Sequence, residues 1–137
     1  MVTSLNNNPP VQDIGYLKTE QIIRATVTSA NVGGAAVVLG AIPTNALVTG
    51  GQLSVTTAFN GTTPTINVGN INQATGTATA AAYASAMALG AQGTTLLDDI
   101  GLASALPASA PLTITATLPA AAGNTTGSAD VLIKFVA

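Results

Sequence analysis

The chain has 137 residues, of which only eight are charged, and it contains no histidine, cysteine or tryptophan. Three basic groups cannot build the patch that a phosphate backbone requires, which argues against nucleic-acid binding. Without cysteine there are no disulfides, thiolate nucleophiles or Cys-type zinc sites, and without histidine the commonest general base is missing, so most familiar enzyme mechanisms are closed.

Alanine and threonine dominate, yet an apolar fraction of 47% and a net charge of −2 are not those of a disordered chain. The mean hydropathy is +0.51. Such a chain collapses, and so weak a surface charge favours association, so we expect much of its surface to be packed in an assembly. Between Arg24 and Asp98 no residue is charged, but Asn31, Gly33, Gly34, Gly40, Pro43 and Asn45 interrupt the best apolar window. No membrane-spanning helix is expected there. The segment Met1–Pro10 (MVTSLNNNPP) has neither a basic start nor an apolar run, so it does not read as a secretory signal.

In chain order, Asn6-Asn7-Asn8-Pro9-Pro10 predicts an extended arm over residues 1–15, ahead of a single β domain over 16–137. From Leu17 to Thr28 the period is two. Leu17, Ile23, Ala25 and Val27 share one parity, and Lys18, Glu20, Arg24 and Thr26 the other, which predicts a half-buried strand. Asn31-Val32-Gly33-Gly34 reads as a turn, Ala35–Leu39 as a short strand, and Ile42-Pro43-Thr44-Asn45 as its end. Ala46–Phe59 is the clearest element. Leu47, Leu53, Val55, Thr57 and Phe59 alternate with Gln52, Ser54, Thr56 and Ala58, and Gly50-Gly51 predicts a bulge or bend. Asn60-Gly61 is a strong hairpin signal, with a connection that can extend through Pro64 to a short strand holding Ile66 and Val68.

The middle, residues 73–111, is ambiguous. Ala78–Leu89 is alanine-rich, which favours helix by propensity, but Gly90, Gly93 and Gly101 and the lack of an apolar stripe oppose it. We read a strand or extended run near Tyr83–Leu89, then a long loop with one helical turn within Thr95–Leu106 that starts near Asp98 and Asp99. Beyond it, Leu112, Ile114, Ala116 and Leu118 alternate with Thr113, Thr115 and Thr117. After an Ala121-Ala122-Gly123-Asn124 turn, Ala129, Val131, Ile133 and Phe135 alternate with Asp130, Leu132 and Lys134. Six to seven main strands with a long alanine-rich middle loop predict an all-β fold, an antiparallel β-sandwich of jelly-roll type. Leu53, Val55, Ile114, Val131 and Ile133 should share its core.

The candidate chemistry is thin. Asp98-Asp99 lacks the spaced oxygen ligands of a calcium loop and reads as a loop anchor. A serine nucleophile needs an adjacent base, and Lys18 and Lys134 lie on polar strand faces. Gly33-Gly34 and Gly50-Gly51 lack the Lys-Ser/Thr of a phosphate loop. Asn60-Gly61-Thr62 and Asn124-Thr125-Thr126 match the glycosylation pattern but read as turns. The row Thr113, Thr115, Thr117, like Thr26 and Thr28, is the expected uncharged residue of a β face rather than an ordered binding array. No catalytic, cofactor-binding or metal-binding residue is assigned, and no enzyme activity is expected. A surface of Thr, Ser, Asn, Gln and Ala suits protein–protein packing.

The stretch Ile42–Asn70 (IPTNALVTGGQLSVTTAFNGTTPTINVGN), with the closing Ser128–Val136 (SADVLIKFV), resembles small virion proteins of tailed bacteriophages, the decoration or cement proteins and related minor head proteins. The shared pattern is a Pro-containing turn, an alternating strand ending in Ala58-Phe59, a short strand to Val68-Gly69 and a valine-rich final strand. It covers about half the chain. The resemblance implies a jelly-roll module on the outside of a phage capsid, bound to the major capsid protein and self-associated as a homotrimer. It carries no catalytic residue to transfer, and the alanine-rich middle departs from the charged loop that it implies. The other readings are a phage neck, tail or fibre component, or a carbohydrate- or receptor-binding adhesin. Sugar platforms need exposed aromatics, whereas Phe59 and Phe135 fall on apolar strand faces and only Tyr16 and Tyr83 remain.

Overall fold

The computed structural model describes residues 20–97 and 108–136. Among the described residues eight strands run in chain order: β1 (Glu20–Thr28), β2 (Val37–Ile42), β3 (Leu47–Thr57), β4 (Thr65–Asn72), β5 (Ala78–Ala88), β6 (Gly93–Leu96), β7 (Leu112–Thr117) and β8 (Ser128–Val136). They form two four-stranded antiparallel sheets, β1-β8-β3-β6 and β2-β7-β4-β5. The first strand therefore pairs with the eighth, the second with the seventh, the third with the sixth and the fourth with the fifth. That nested order is a jelly roll, two layers wound from one long antiparallel ribbon.

Alternation builds the core. Val27 of β1, Leu53 and Val55 of β3, Ile66 and Val68 of β4, Ile114 and Ala116 of β7, and Ala129, Val131, Ile133 and Phe135 of β8 are all buried. The five residues expected to share the core do so, and the parity of β1 and β8 is as expected. In β3 the parity holds only beyond Gly51. A register shift between Val48 and Gly50 turns Val48 inward and leaves Leu47 half-buried, so the glycine-marked bulge moves the face of everything before it. A second shift between Val55 and Thr57 leaves Thr57 exposed and returns Phe59 to the core. The strand expected over Ala35–Leu39 begins two residues later and runs through Ile42. The strand around Ile66 and Val68 extends to Asn72.

The alanine-rich middle supplies two strands: the strand or extended run expected near Tyr83–Leu89 is part of β5, which begins earlier, at Ala78, and β6 stands where a loop was expected. β5 is drawn into the sheet by β4 despite its helix propensity, because an isolated helix here would have no apolar stripe to bury. It pairs irregularly. Ala84 lies opposite Val68 and Thr79 opposite Asn70, so Ala80–Tyr83 bows out across from Gly69 alone. Only glycine fits there, because a Cβ would collide with the Thr79 carbonyl oxygen and the Ala80 backbone. The excursion carries Tyr83 into the core, where its hydroxyl accepts a 3.1 Å hydrogen bond from Asn70 Nδ2. Ala86, at φ 50°, forms a second bulge pinned by its N–H donating to Asn67 Oδ1 at 2.7 Å.

Asn60-Gly61 does not join paired strands. β3 and β4 lie in different sheets, and the connection between them crosses the sandwich. Ala121–Asn124 is likewise a crossing, from β7 to β8. Among the described residues the single hairpin between paired neighbours is β4–β5, where Asn72 Oδ1 accepts from the N–H groups of Ala74 and Thr75 and Gly76 takes φ 75°. The arm over residues 1–15, Tyr16, Leu17, Lys18, Asp98-Asp99 and most of the helical turn expected within Thr95–Leu106 lie outside the described residues.

Candidate interaction surface

Each sheet turns one face to the core and one outward, and the two outward faces differ in chemistry. On the first sheet, β1, β8 and β3 bring Arg24, Leu132 and Gln52 into one row, continued by Leu96 of β6. The next row is Thr26, Asp130, Ser54 and Thr94. All four charged residues among the described ones, Glu20, Arg24, Asp130 and Lys134, stand on this face, two of each sign. Arg24 Nη2 donates to Asp130 Oδ2 at 2.9 Å and the Thr26 hydroxyl to Asp130 Oδ1 at 2.6 Å. The Arg24 guanidinium, helped by that hydroxyl, holds the Asp130 carboxyl below the usual carboxylate range. Asp130 is thus ionised and unsuited to general-acid work. Thr49 donates to Glu20 Oε2 at 3.0 Å, and Ser54 and Thr94 share a 2.6 Å hydrogen bond.

Set among these polar groups are large apolar side chains in water. Ile22 is 57% exposed and Leu96 is 77% exposed. Ile22 was legible as a mismatch, since it occupies the polar parity of β1. Leu96 was not, because no strand was expected at Gly93–Leu96. A cleft of about 330 Å³ on the same face is lined by Glu20, Thr49, Gln52, Leu96, Leu97 and Lys134, with Gly50 and Gly51 on its floor. Its hydroxyl and its carboxylate are bonded to each other, Thr49 Oγ1 to Glu20 Oε2, and the other polar groups of its lining are the Lys134 ammonium and the Gln52 carboxamide. Among the described residues, no three His, Cys, Asp or Glu side chains gather as a metal site, and no helix is long and apolar enough to cross a membrane.

The second sheet contains no charged residue in any of its four strands. Val38, on its outward face, is 64% exposed. The threonine row expected along β7 is not an open array. Thr115 is buried, at 4% exposure, between Val38 and Gly69 on the flanking strands, and the Thr113 hydroxyl accepts from Gln73 Nε2 at 2.9 Å.

One end of the sandwich gathers the connections β1–β2, β3–β4, β5–β6 and β7–β8. Ser29 N–H donates to the Gly127 carbonyl at 3.1 Å, Gly33 N–H to that of Leu118 at 2.7 Å, and Phe59 N–H to that of Leu89 at 3.0 Å. Both glycosylation-type asparagines lie in these connections and bond the β3–β4 connection to the β7–β8 connection. Asn60 Nδ2 donates to Thr125 Oγ1 at 2.9 Å, and Asn124 Oδ1 accepts from Gly61 N–H at 2.9 Å. The aromatic side chains among the described residues, Phe59, Tyr83 and Phe135, are all buried.

No protein-family model matches the chain, and no curated protein matches its sequence. Its fold is similar to that of solved structures. A chain in the capsid of Ralstonia phage GP4 superposes with a TM-score of 0.65 at 22% identity, covering 87% of this chain and 83% of that one. A chain in the acid-stable capsid of Helicobacter pylori bacteriophage KHP30 gives 0.63 at 14% identity, over 88% and 90%. A chain in the capsid asymmetric unit of cyanophage Pam1 gives 0.61 at 16% identity, over 99% and 92%. At these identities the likeness establishes a common fold.

Proposed function

We propose that this chain is a virion structural protein, a decoration or cement protein that binds the outside of a phage head and stabilises it by symmetric protein–protein contacts. The observation that carries the reading is the end-to-end match to chains in three phage capsids, each of nearly this chain's own length. A small jelly roll whose second sheet has no charged residue in its strands adds to it, since that face demands little charge desolvation on contact. The partners in this reading are the major capsid protein and two further copies of the chain, in a homotrimer on the capsid surface. Each copy contributes modest affinity, and many symmetric copies bridging neighbouring subunits strengthen the whole shell. The buried aromatics disfavour a sugar-stacking adhesin, which fold alone does not exclude.

The test mixes the purified protein with particles lacking it and measures co-sedimentation and resistance of the particles to heat. Binding should be saturable and depend only weakly on salt, because so few charges are available to steer it. Deleting residues 1–10 should weaken attachment while the β-sandwich stays folded, if those residues form a contacting arm. Sedimentation at micromolar concentration should give a trimer. Absence of co-sedimentation at every salt concentration, or avid binding to host glycans instead, refutes the cement reading.

A further inference from the structure

Asn60-Gly61 is the single Asn-Gly step in the chain, and such a step is chemically labile. The Gly61 backbone nitrogen, on losing its proton, attacks Asn60 Cγ. A C–N bond forms, the bond to the side-chain nitrogen breaks, and ammonia leaves with the proton. Water then opens the cyclic imide at either carbonyl, giving aspartate or iso-aspartate. The absence of a Cβ at Gly61 removes the steric barrier that slows this ring closure at other steps.

The fold engages both reacting groups elsewhere. Gly61 N–H donates to Asn124 Oδ1 at 2.9 Å. The Asn60 carboxamide is held at both ends, its Oδ1 accepting from the N–H groups of Thr125 at 2.7 Å and Thr126 at 3.0 Å and its Nδ2 donating to Thr125 Oγ1 at 2.9 Å. Thr62 N–H adds a bond to the Ala122 carbonyl at 2.9 Å. The approach is close enough that a Cβ on Gly61 would meet the Cβ atoms of Asn124 at 2.7 Å and Ala121 at 2.9 Å. The residue that makes the step labile is thus required by the loop contact that restrains it.

We propose that Asn60-Gly61 is a latent deamidation site that the folded protein holds shut through this clasp between the β3–β4 and β7–β8 connections. Ring closure requires the Gly61–Asn124 bond to open and the Asn60 carboxamide to leave the orientation in which its three bonds hold it, so the reaction proceeds through the fraction of molecules whose loops have parted. Conversion adds a negative charge to a chain that has eight charged residues, and the iso-aspartyl product lengthens the backbone inside the clasp. The clasp therefore preserves this end of the sandwich chemically as well as mechanically.

The test holds full-length protein at mildly alkaline pH and follows Asn60 conversion, including iso-aspartate, by peptide-map mass spectrometry. Folded wild type, urea-unfolded wild type and folded Asn124→Ala are compared. Folded wild type should convert at least about tenfold more slowly than the unfolded chain, as expected for a cooperative local opening. Asn124→Ala should move the rate toward the unfolded value. That variant is expected to fold, because Asn124 Nδ2 is buried without a hydrogen-bond partner and its removal offsets part of the loss. Should it fail to fold, Thr125→Val, which removes the acceptor of Asn60 Nδ2, takes its place with the same expectation. Equal rates in folded and unfolded wild type, or a folded clasp variant that converts no faster than wild type, overturn the proposal.

Discussion

Replacing Val131 tests the strand parity on which the sandwich rests. Val131 is fully buried in β8, between Ala25 of β1 and Leu53 of β3, while its neighbour Leu132 faces outward between Arg24 and Gln52. Val131→Ala removes two methyl groups, about 1.6 kcal/mol of transfer free energy, and a residual cavity of about 40 Å³ adds about 1 kcal/mol. The total, about 2.5 kcal/mol, should lower Tm by about 10 °C in a domain of this size. Val131→Asp loses the same packing and must also hold its carboxyl neutral. Protonation at pH 7 costs about 4 kcal/mol from an ordinary carboxylate pKa, and the unpaired neutral group adds about 1–3 kcal/mol. The sum approaches the whole stability of a typical domain, about 5–15 kcal/mol, so the variant should be largely unfolded at neutral pH. Its folded-state pKa lies above the unfolded one. The folded chain binds the extra proton, so stability should return as pH falls toward 4 and be lost again as it rises. Leu132→Asp, one residue away and beside the Arg24 guanidinium, should change stability by no more than about 1 kcal/mol. Urea unfolding followed by circular dichroism reads all three variants. A Val131→Asp protein as stable as wild type at pH 7, or a Leu132→Asp protein damaged equally, would refute the assigned parity.

Three further outcomes follow from individual contacts. Burial pushes the Tyr83 phenol up, and the hydrogen bond from Asn70 only partly opposes it. Its contribution to stability is complete below the ordinary tyrosine pKa and is lost as pH rises through the folded value, so alkaline unfolding should begin near pH 10 and be blunted in Tyr83→Phe. Asp130 has the opposite sign. Its depressed pKa gives stability that is present above the ordinary carboxylate value and lost as pH falls through the folded one, so Asp130→Asn should flatten the acid limb of a stability–pH curve. Gly127 takes φ 146° with the Phe59 ring against it, leaving no room for a Cβ. Gly127→Ala should therefore cost several kcal/mol in urea unfolding, more than a typical surface substitution; a loss below about 1 kcal/mol would contradict the packing described.

Alternation in the amino-acid order determined which residues of β1, β7 and β8 face the core, because a period of two can bury only one face of a strand. The same pattern is silent about which strand lies beside which. Asn60-Gly61 and Ala121–Asn124 read locally as links between paired neighbours, yet both cross from one sheet to the other, since β1 pairs with β8, β3 with β6 and β8, and β4 with β5 and β7. Local propensity favoured helix in Ala78–Leu89, and pairing with β4 overrode it, tolerating two bulges that only Gly69 and the Asn67 carboxamide make possible. Within β3 a single extra residue near Thr49 exchanged the faces of Leu47 and Val48, a change invisible to any count of apolar positions. Composition foretold a surface nearly without charge. That the four charges among the described residues gather on one sheet, and that Asn60 and Gly61 bond to Thr125 and Asn124 more than sixty residues away in sequence, was decided by the winding of the ribbon, because side chains so far apart share a surface only once the sandwich has closed.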